Sequence, residues 1–337
     1  MRAFATPTYG APEVLTKVER PAPTPGPREL LVDVEAAAVT RGDDRLRGAE
    51  FPGATALIGR AIFGVLRPRQ SVQGCMFAGT VSAMGPGVQG YAVGDRVFGE
   101  VTHGAYAEQL VIREDAGVAR IPSGLSATEV AALPYGAVSA WVFLNDIAQL
   151  RPQQHVVVFG AGGGVGRYAV QVARYLGAQV TAVAGPRHHA MLKQLGIGLP
   201  AAGSEHRVVE DLSQLGKRAD VVLDTSGTTQ LADWRAHLSP TGRFVTTDLS
   251  MGLLVDLMLA PLRPGPTTHF GVGEVTADNL SQVAALLEAG AIQPVVDRSF
   301  AFDDLAAAHR CVHDERPSGD VVVEVQPQTR STAAQSA

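Results

Sequence analysis

Cysteine is nearly absent: Cys75 and Cys311 are the two in 337 residues. Two thiols make no disulfide framework, so a reducing cytoplasm is the expected compartment. Long apolar runs are missing too. The most apolar stretch, Leu249 to Leu262, is too short to cross a bilayer and carries Asp256 and Pro261. The first residues read as a strand rather than a secretion signal. The chain has no basic run or aromatic platform and a net charge of −5, which argues against nucleic acid as a partner. One absence is local: no acidic residue occurs between Asp146 and Glu205.

Just inside that acid-free stretch lies the segment Val156 to Ala178. Val156 to Phe159 read as a buried parallel strand, and the turn Gly160-Ala161-Gly162-Gly163-Gly164-Val165-Gly166 follows at once. Apolar residues then recur at helical spacing through Tyr168, Val172 and Tyr175. Strand, glycine turn and helix in that order suit a dinucleotide. The helix N-terminus offers free N–H groups to a pyrophosphate, and glycine admits close approach. The spacing fits either Gly160-x-x-Gly163-x-x-Gly166 or Ala161-x-Gly163-x-x-Gly166.

The next strand, Val180 to Ala184, ends where the adenosine ribose would sit. An NAD site places Asp or Glu there to hold the 2′-hydroxyl. This chain offers Gly185, Arg187, His188, His189 and Lys193 instead. Arginine pairs with a phosphate, so the reading favours NADPH with Arg187 as the clamp. A solvated basic helix start is the alternative.

At 337 residues and 46% hydrophobic, the chain has room for two cores. The first third alternates short strands with Pro and Gly: Leu30–Glu35, Gly79–Ala83 and Ala107–Ile112. That pattern predicts a mostly β domain with partly open barrel character. Ser126-x-x-Glu129 is a capping box opening a helical region. Beyond the glycine turn, strands at Val221–Asp224 and Arg243–Thr247 flank a helix at Leu231–Leu238, so an α/β doubly wound parallel sheet is expected. Asp278 to Ala289 reads as an amphipathic helix stopped at Gly290, Asp320 to Val325 as the last strand, and 326–337 as a disordered polar tail.

Read end to end, the chain resembles the medium-chain dehydrogenase/reductase superfamily, in particular its zinc-free quinone oxidoreductase-like branch. The likeness rests on Tyr9-Gly-Ala-Pro-Glu-Val-Leu15, Gly94-Asp-Arg-Val97, Gly104-Ala-Tyr-Ala-Glu108, the glycine turn, Asp220-Val-Val-Leu-Asp224 and Gly290-Ala-Ile-Gln-Pro294. It implies a Rossmann domain plus a GroES-like, mostly β catalytic domain built from both chain ends. The expected division is 1–125 and 269–325 for the catalytic domain and 126–268 for the NADPH-binding domain. The resemblance also implies a homodimer. Where zinc-dependent relatives hold metal, this chain has Thr40-x-x-Asp43 and Gly74-Cys75-Met76. Thr and Met do not replace thiolate and imidazole, so no metal is expected. His309 and His313, four residues apart around Cys311, read as part of an exposed helix.

The chemistry implied is hydride delivery to a conjugated carbonyl of a small molecule: a quinone, enone or enal. A non-redox cyclase or isomerase reusing the fold, or an NADPH-binding protein without turnover, is the alternative. By resemblance, Thr40 stands where the family often has Asn near the nicotinamide, and Ser139 stands at a Thr position facing the cofactor. His103 is the candidate proton donor, because imidazole titrates near neutrality. Cys75 reads as a buried apolar thiol, and Arg60 with Leu66 to Arg69 as a solvated loop. The cofactor set is Ser139, Gly160, Ala161, Gly162, Gly163, Gly164, Val165, Gly166, Gly185, Arg187 and Thr247.

Overall fold

The computed structural model describes residues 1–50, 55–198, 206–216, 218–247, 253, 256, 258, 264–315 and 317–325. The expected tail at 326–337 lies outside the described residues, as does most of the loop 251–263. Along the chain, β1 (Arg2–Ala5) and β2 (Thr16–Glu19) pair antiparallel. There follow β3 (Glu29–Val39), α1 (Arg41–Gly48), α2 (Thr55–Phe63), β4 (Met76–Met84), β5 (Arg96–Glu100), β6 (Gln109–Arg113) and β7 (Val118–Arg120). β3 runs on through Ala36-Ala37-Ala38, longer than the apolar run Leu30–Glu35 suggests. All three alanines are fully buried between β4 and β15 (Asp320–Glu324), so tertiary pairing overrides alanine's helical preference.

Two short helices, α3 (Ala127–Val130) and α4 (Leu133–Trp141), lead into the second half, and the Ser126–Glu129 capping box is formed. β8 (His155–Phe159), α5 (Gly166–Tyr175), β9 (Gln179–Val183), α6 (His189–Gln194), β10 (Arg207–Val209), β11 (Ala219–Asp224), α7 (Leu231–Trp234), β12 (Leu238–Thr246) and β13 (Thr267–Phe270) come next. Their strands make one parallel sheet in the order β10-β9-β8-β11-β12-β13. That order is the doubly wound dinucleotide-binding one, reversing direction between β8 and β11. Val156, Val157 and Val158 are wholly buried at its centre.

The helix Ala277–Glu288 is capped by Thr276, and Gly290 follows it at φ 64°. The chain then returns to the first domain through β14 (Val296–Ala301), the helix Leu305–Arg310 and β15. The seven-stranded sheet runs β14-β15-β3-β4-β5-β7, with β6 also on β3. Both chain ends therefore build the GroES-like sheet.

Two helical expectations change. The segment Leu231–Leu238 is helical only to Trp234, since β12 starts at Leu238, and Pro240 and Gly242 fall inside that strand. Tyr168 and Val172 are fully buried on α5, but Tyr175 in its last turn is 54% exposed. The partly buried Leu176 packs against the core there instead.

Candidate active site

The glycine turn lies at the carboxyl end of β8, at the point where strand order reverses, which is where such sheets bind ligands. Gly160 (φ 79°) starts the turn, and the N–H groups of Gly160 and Ala161 both donate to the Val183 carbonyl, at 3.2 and 3.1 Å. Gly163 then donates to Gly160, at 2.9 Å. A Cβ on Gly166 would stand 2.2 Å from the Gly160 carbonyl oxygen, so only glycine lets α5 start this close to the strand. The amides of Gly164 and Val165, at the mouth of α5, make no hydrogen bond among the described residues. These free donors and the positive helix end fit a pyrophosphate. Thr225, absent from the residues singled out by sequence, donates its hydroxyl to the Phe159 and Gly160 carbonyls and braces the turn from β11. Thr247 follows the carboxyl end of β12.

Gly185 and Arg187 follow β9 beside this turn, with the neighbouring His188 ring beneath Gly162. Arg187 is exposed and gives one N–H to the Glu315 carbonyl at 3.3 Å. Among the described residues, Ala184, Gly185 and Pro186 directly after β9 carry no carboxylate.

Strand ends meet α4 beside the glycine turn. Ala38 on β3 and Met76 on β4 pack against Ala132 just ahead of α4, with Cys75 at the edge. Glu100 faces Met76 across the β4–β5 ladder, so the two side chains share that face. Strand alternation agrees, because Phe98, two residues before Glu100, belongs to the core that holds Leu133 and Ala137 of α4. On α4, Tyr135 and Ser139 lie one turn apart on one side. Ser139 is buried against Gly273, whose added Cβ would be 2.5 Å from the Ser139 hydroxyl. Gly136 of the same helix backs onto Gly164, joining the cleft to the glycine turn.

Thr40 caps α1. Its hydroxyl donates to Asp43 Oδ2 at 2.6 Å and accepts from the Asp43 N–H at 3.2 Å. Expected as a donor near the nicotinamide, Thr40 gives its hydroxyl proton to Asp43 in this geometry. Burial pushes Asp43 up to about 6 despite these bonds, and its Oδ1 has no partner among the described residues. Burial, and then the Asp43 charge, pushes Glu100 up to about 7. Tyr135 is also raised, first by desolvation; Arg45 opposes the shift while Glu100 and Asp43 add to it. Its side chain is 41% exposed, so it is reachable from solvent although the cleft walls strip much of its hydration.

Cys75 is half-buried, points at the Thr102 carbonyl at 3.6 Å, and is raised by burial, Asp43 and Glu100. It is a weakly acidic thiol. A capping hydroxyl and this thiol thus stand at the positions of the zinc segments. Cys75, Gly74, Thr102 and the exposed His103 line a cavity of about 310 Å³ closed on its other side by Leu46, Ile62, Phe63 and Arg69. Part of this wall comes from α2, so the insertion expected as a solvated loop is partly helical. Arg60 lies over the Tyr9 ring (5.7 Å) and donates to Val65, while Arg69 donates to Ala61. A second hollow of about 680 Å³ is lined by Thr6, Pro7 and the segment 64–69, and shares Pro68 and Arg69 with the first.

His309 corrects the exposed-helix expectation. It is fully buried, edge-on to Tyr106 and accepting from Arg47 Nε at 3.3 Å. Burial drives it down to about 3, so it is neutral. His313 pairs instead with buried Asp44 at 3.0 Å. Asp44, Glu50 and His313 are the one set of three potential metal ligands gathered within 4.8 Å among the described residues. Asp44 is already bound to Arg41 and Arg47 as well, which makes this an ion-pair node.

Two family profiles match the chain: an alcohol dehydrogenase GroES-like domain over residues 26–138, and a zinc-binding dehydrogenase domain over 202–323. Erythronolide synthase EryA2 of Saccharopolyspora erythraea is 33% identical over 85% of the chain, which spans only 8% of that synthase. The quinone oxidoreductase from Coxiella burnetii superposes with a TM-score of 0.81 at 24% identity, covering 97% of this chain and 99% of that one. CurK enoyl reductase gives the same TM-score at 23% identity, over 96% and 98%. By its two matched domains and its fold, the chain belongs to the medium-chain dehydrogenase/reductase superfamily.

Proposed function

We propose that the chain is an NADPH-dependent, zinc-independent reductase of conjugated carbonyl compounds: enones, enals or quinones. The observation carrying this reading is the packing of α4 and the residue before it against the strand ends of β3 to β5, with Cys75 both at its edge and on the wall of the cavity of about 310 Å³. Through Gly136 this packing meets the glycine turn, and Thr40 and Cys75 stand at the positions of the zinc segments. A conjugated acceptor needs no Lewis acid, because its own π-system carries charge to oxygen. Position, an oxyanion partner and a proton suffice. The similarity to a polyketide synthase, a quinone oxidoreductase and an enoyl reductase supports the same class.

When bound, NADPH supplies the hydride. The chain's residues do the rest. Gly160, Ala161, Gly162, Gly163 and Gly166 shape the turn, and the amides of Gly164 and Val165 hold the pyrophosphate. Gly185 leaves room beside Arg187, which holds the 2′-phosphate. Ser139 and Thr247 border the nicotinamide half. Thr40 fixes Asp43 and the start of α1, while His103 lines the substrate cavity. At about 310 Å³ this cavity suits a small acceptor with an apolar body against Leu46, Ile62 and Phe63.

Fluorescence titration with NADPH and NADH, followed by oxidation assays on a quinone and enone panel, tests the reading. NADPH-selective binding with acceptor-dependent oxidation is expected. Conversion of a substrate without net NADPH consumption would point to a non-redox enzyme, and binding with no turnover to a regulatory protein.

A further inference from the structure

The geometry points to Glu100 as the acid that protonates the substrate's α-carbon after hydride transfer, an assignment resting on the reductase reading above. Glu100 ends β5 on the face that meets α4, opposite Met76 and next in alternation after Phe98. The Val101 N–H donates to the Cys75 carbonyl at 2.7 Å, pinning this strand end beside the residue that lines the substrate cavity. The chain then continues directly into Thr102 and His103, also on the cavity wall.

The Glu100 carboxyl is half-buried, and among the described residues it has neither an ion pair nor a hydrogen bond. Its neighbours are acids or neutral groups: Asp43 of α1, the Cys75 thiol beside β4 and the Tyr135 phenol of α4. The nearest loop histidine in sequence is His103, and the cation Arg45 acts on Tyr135. A carboxyl without a cation beside a second carboxyl costs stability, and such arrangements gather at sites of proton transfer. Asp43 is too enclosed to serve, being wholly desolvated and held by Thr40. Glu100 keeps part of its surface open, and it lies two residues before Thr102 on the cavity wall.

In this step hydride adds to the β-carbon, and the C=C π electrons move to form the enolate. Its α-carbon then takes the Glu100 proton, leaving a carboxylate that water reprotonates. NADPH is oxidised and the alkene is reduced, with no other co-reactant.

Glu100→Gln keeps the shape and removes the acid. With NADPH and an α-methyl enone, kcat of the variant is expected to fall roughly 10²-fold. KM and the NADPH Kd should stay within about twofold, and the α-carbon configuration, single in the wild type, should become mixed. The decline of wild-type kcat above neutrality should also disappear, and Glu100→Asp should recover part of the rate. Carbon-13 labelling of glutamate gives a readout independent of turnover: one carboxyl should titrate near neutrality and vanish in Glu100→Gln. A folded Glu100→Gln protein with unchanged kcat, pH profile and product configuration would overturn the assignment alone. So would glutamates that all titrate in the ordinary range. A wild type that reduces no acceptor would overturn the reductase reading and this assignment with it.

Discussion

Met76 and Glu100 stand opposite each other across the β4–β5 ladder, and only one of them is at home there. Met76 is 3% exposed against Ala38 and Ala132, while Glu100 brings a carboxyl to the same face. Burial and Asp43 raise Glu100 from 4.5 to about 7, so the folded chain holds this proton more tightly than the unfolded one. Its stabilising contribution is therefore complete below its unfolded pKa and is lost as pH rises through about 7. Glu100→Gln, a permanent mimic of the protonated form, is expected to match wild-type Tm near pH 4 and exceed it by roughly 2–6 °C near pH 8. Scanning calorimetry across this range checks it, and equal melting at both ends would show that Glu100 is freely hydrated.

Gly166→Ala tests the turn. The added methyl would lie 2.2 Å from the Gly160 carbonyl oxygen, a backbone atom that cannot swing aside. A loss of about 1–3 kcal/mol in stability is expected, with NADPH affinity reduced at least tenfold because α5 is pushed off the turn. Denaturant unfolding and cofactor titration measure both.

Arg187→Ala separates the two cofactors. A charged hydrogen bond to phosphate is worth about 1.5–3 kcal/mol, so NADPH Kd should rise roughly 10- to 100-fold. NADH binding should change by less than about twofold. Equal losses for both would remove Arg187 from the 2′-phosphate.

Asp44→Ala should be among the most damaging substitutions away from the cleft. It strips Arg47, 2% exposed, of its carboxylate, and also frees Arg41 and His313. Leaving Arg47 buried without its partner costs about 3–5 kcal/mol. Urea denaturation is the measurement, and a loss under about 1 kcal/mol would mean that the Gly10 carbonyl, which accepts from Arg47 Nη1, and the His309 ring hold Arg47 unaided.

The parallel sheet was legible because its strands are continuous apolar runs and its turn needs glycine at fixed places. Residues such as Val156 to Val158 and Gly166 carry that information locally. The cleft was less legible. His103 stands out in sequence as an isolated imidazole, whereas Glu100 looks like one more surface acid at the end of a strand. The period-2 step from Phe98 to Glu100 was a usable signal, but it required knowing which face of β5 meets α4. His309 misled for the same reason: its helix spacing gives no hint that Tyr106 and Arg47 enclose it. Tertiary contacts between residues far apart in sequence decide these cases.

The most direct test of the central claim uses NADPH deuterated at the transferable C4 position, mixed with the purified chain and a panel of enones and quinones. The account predicts acceptor-dependent oxidation of NADPH, with deuterium found at the β-carbon of the reduced enone. Tight NADPH binding with no label in any product would contradict it.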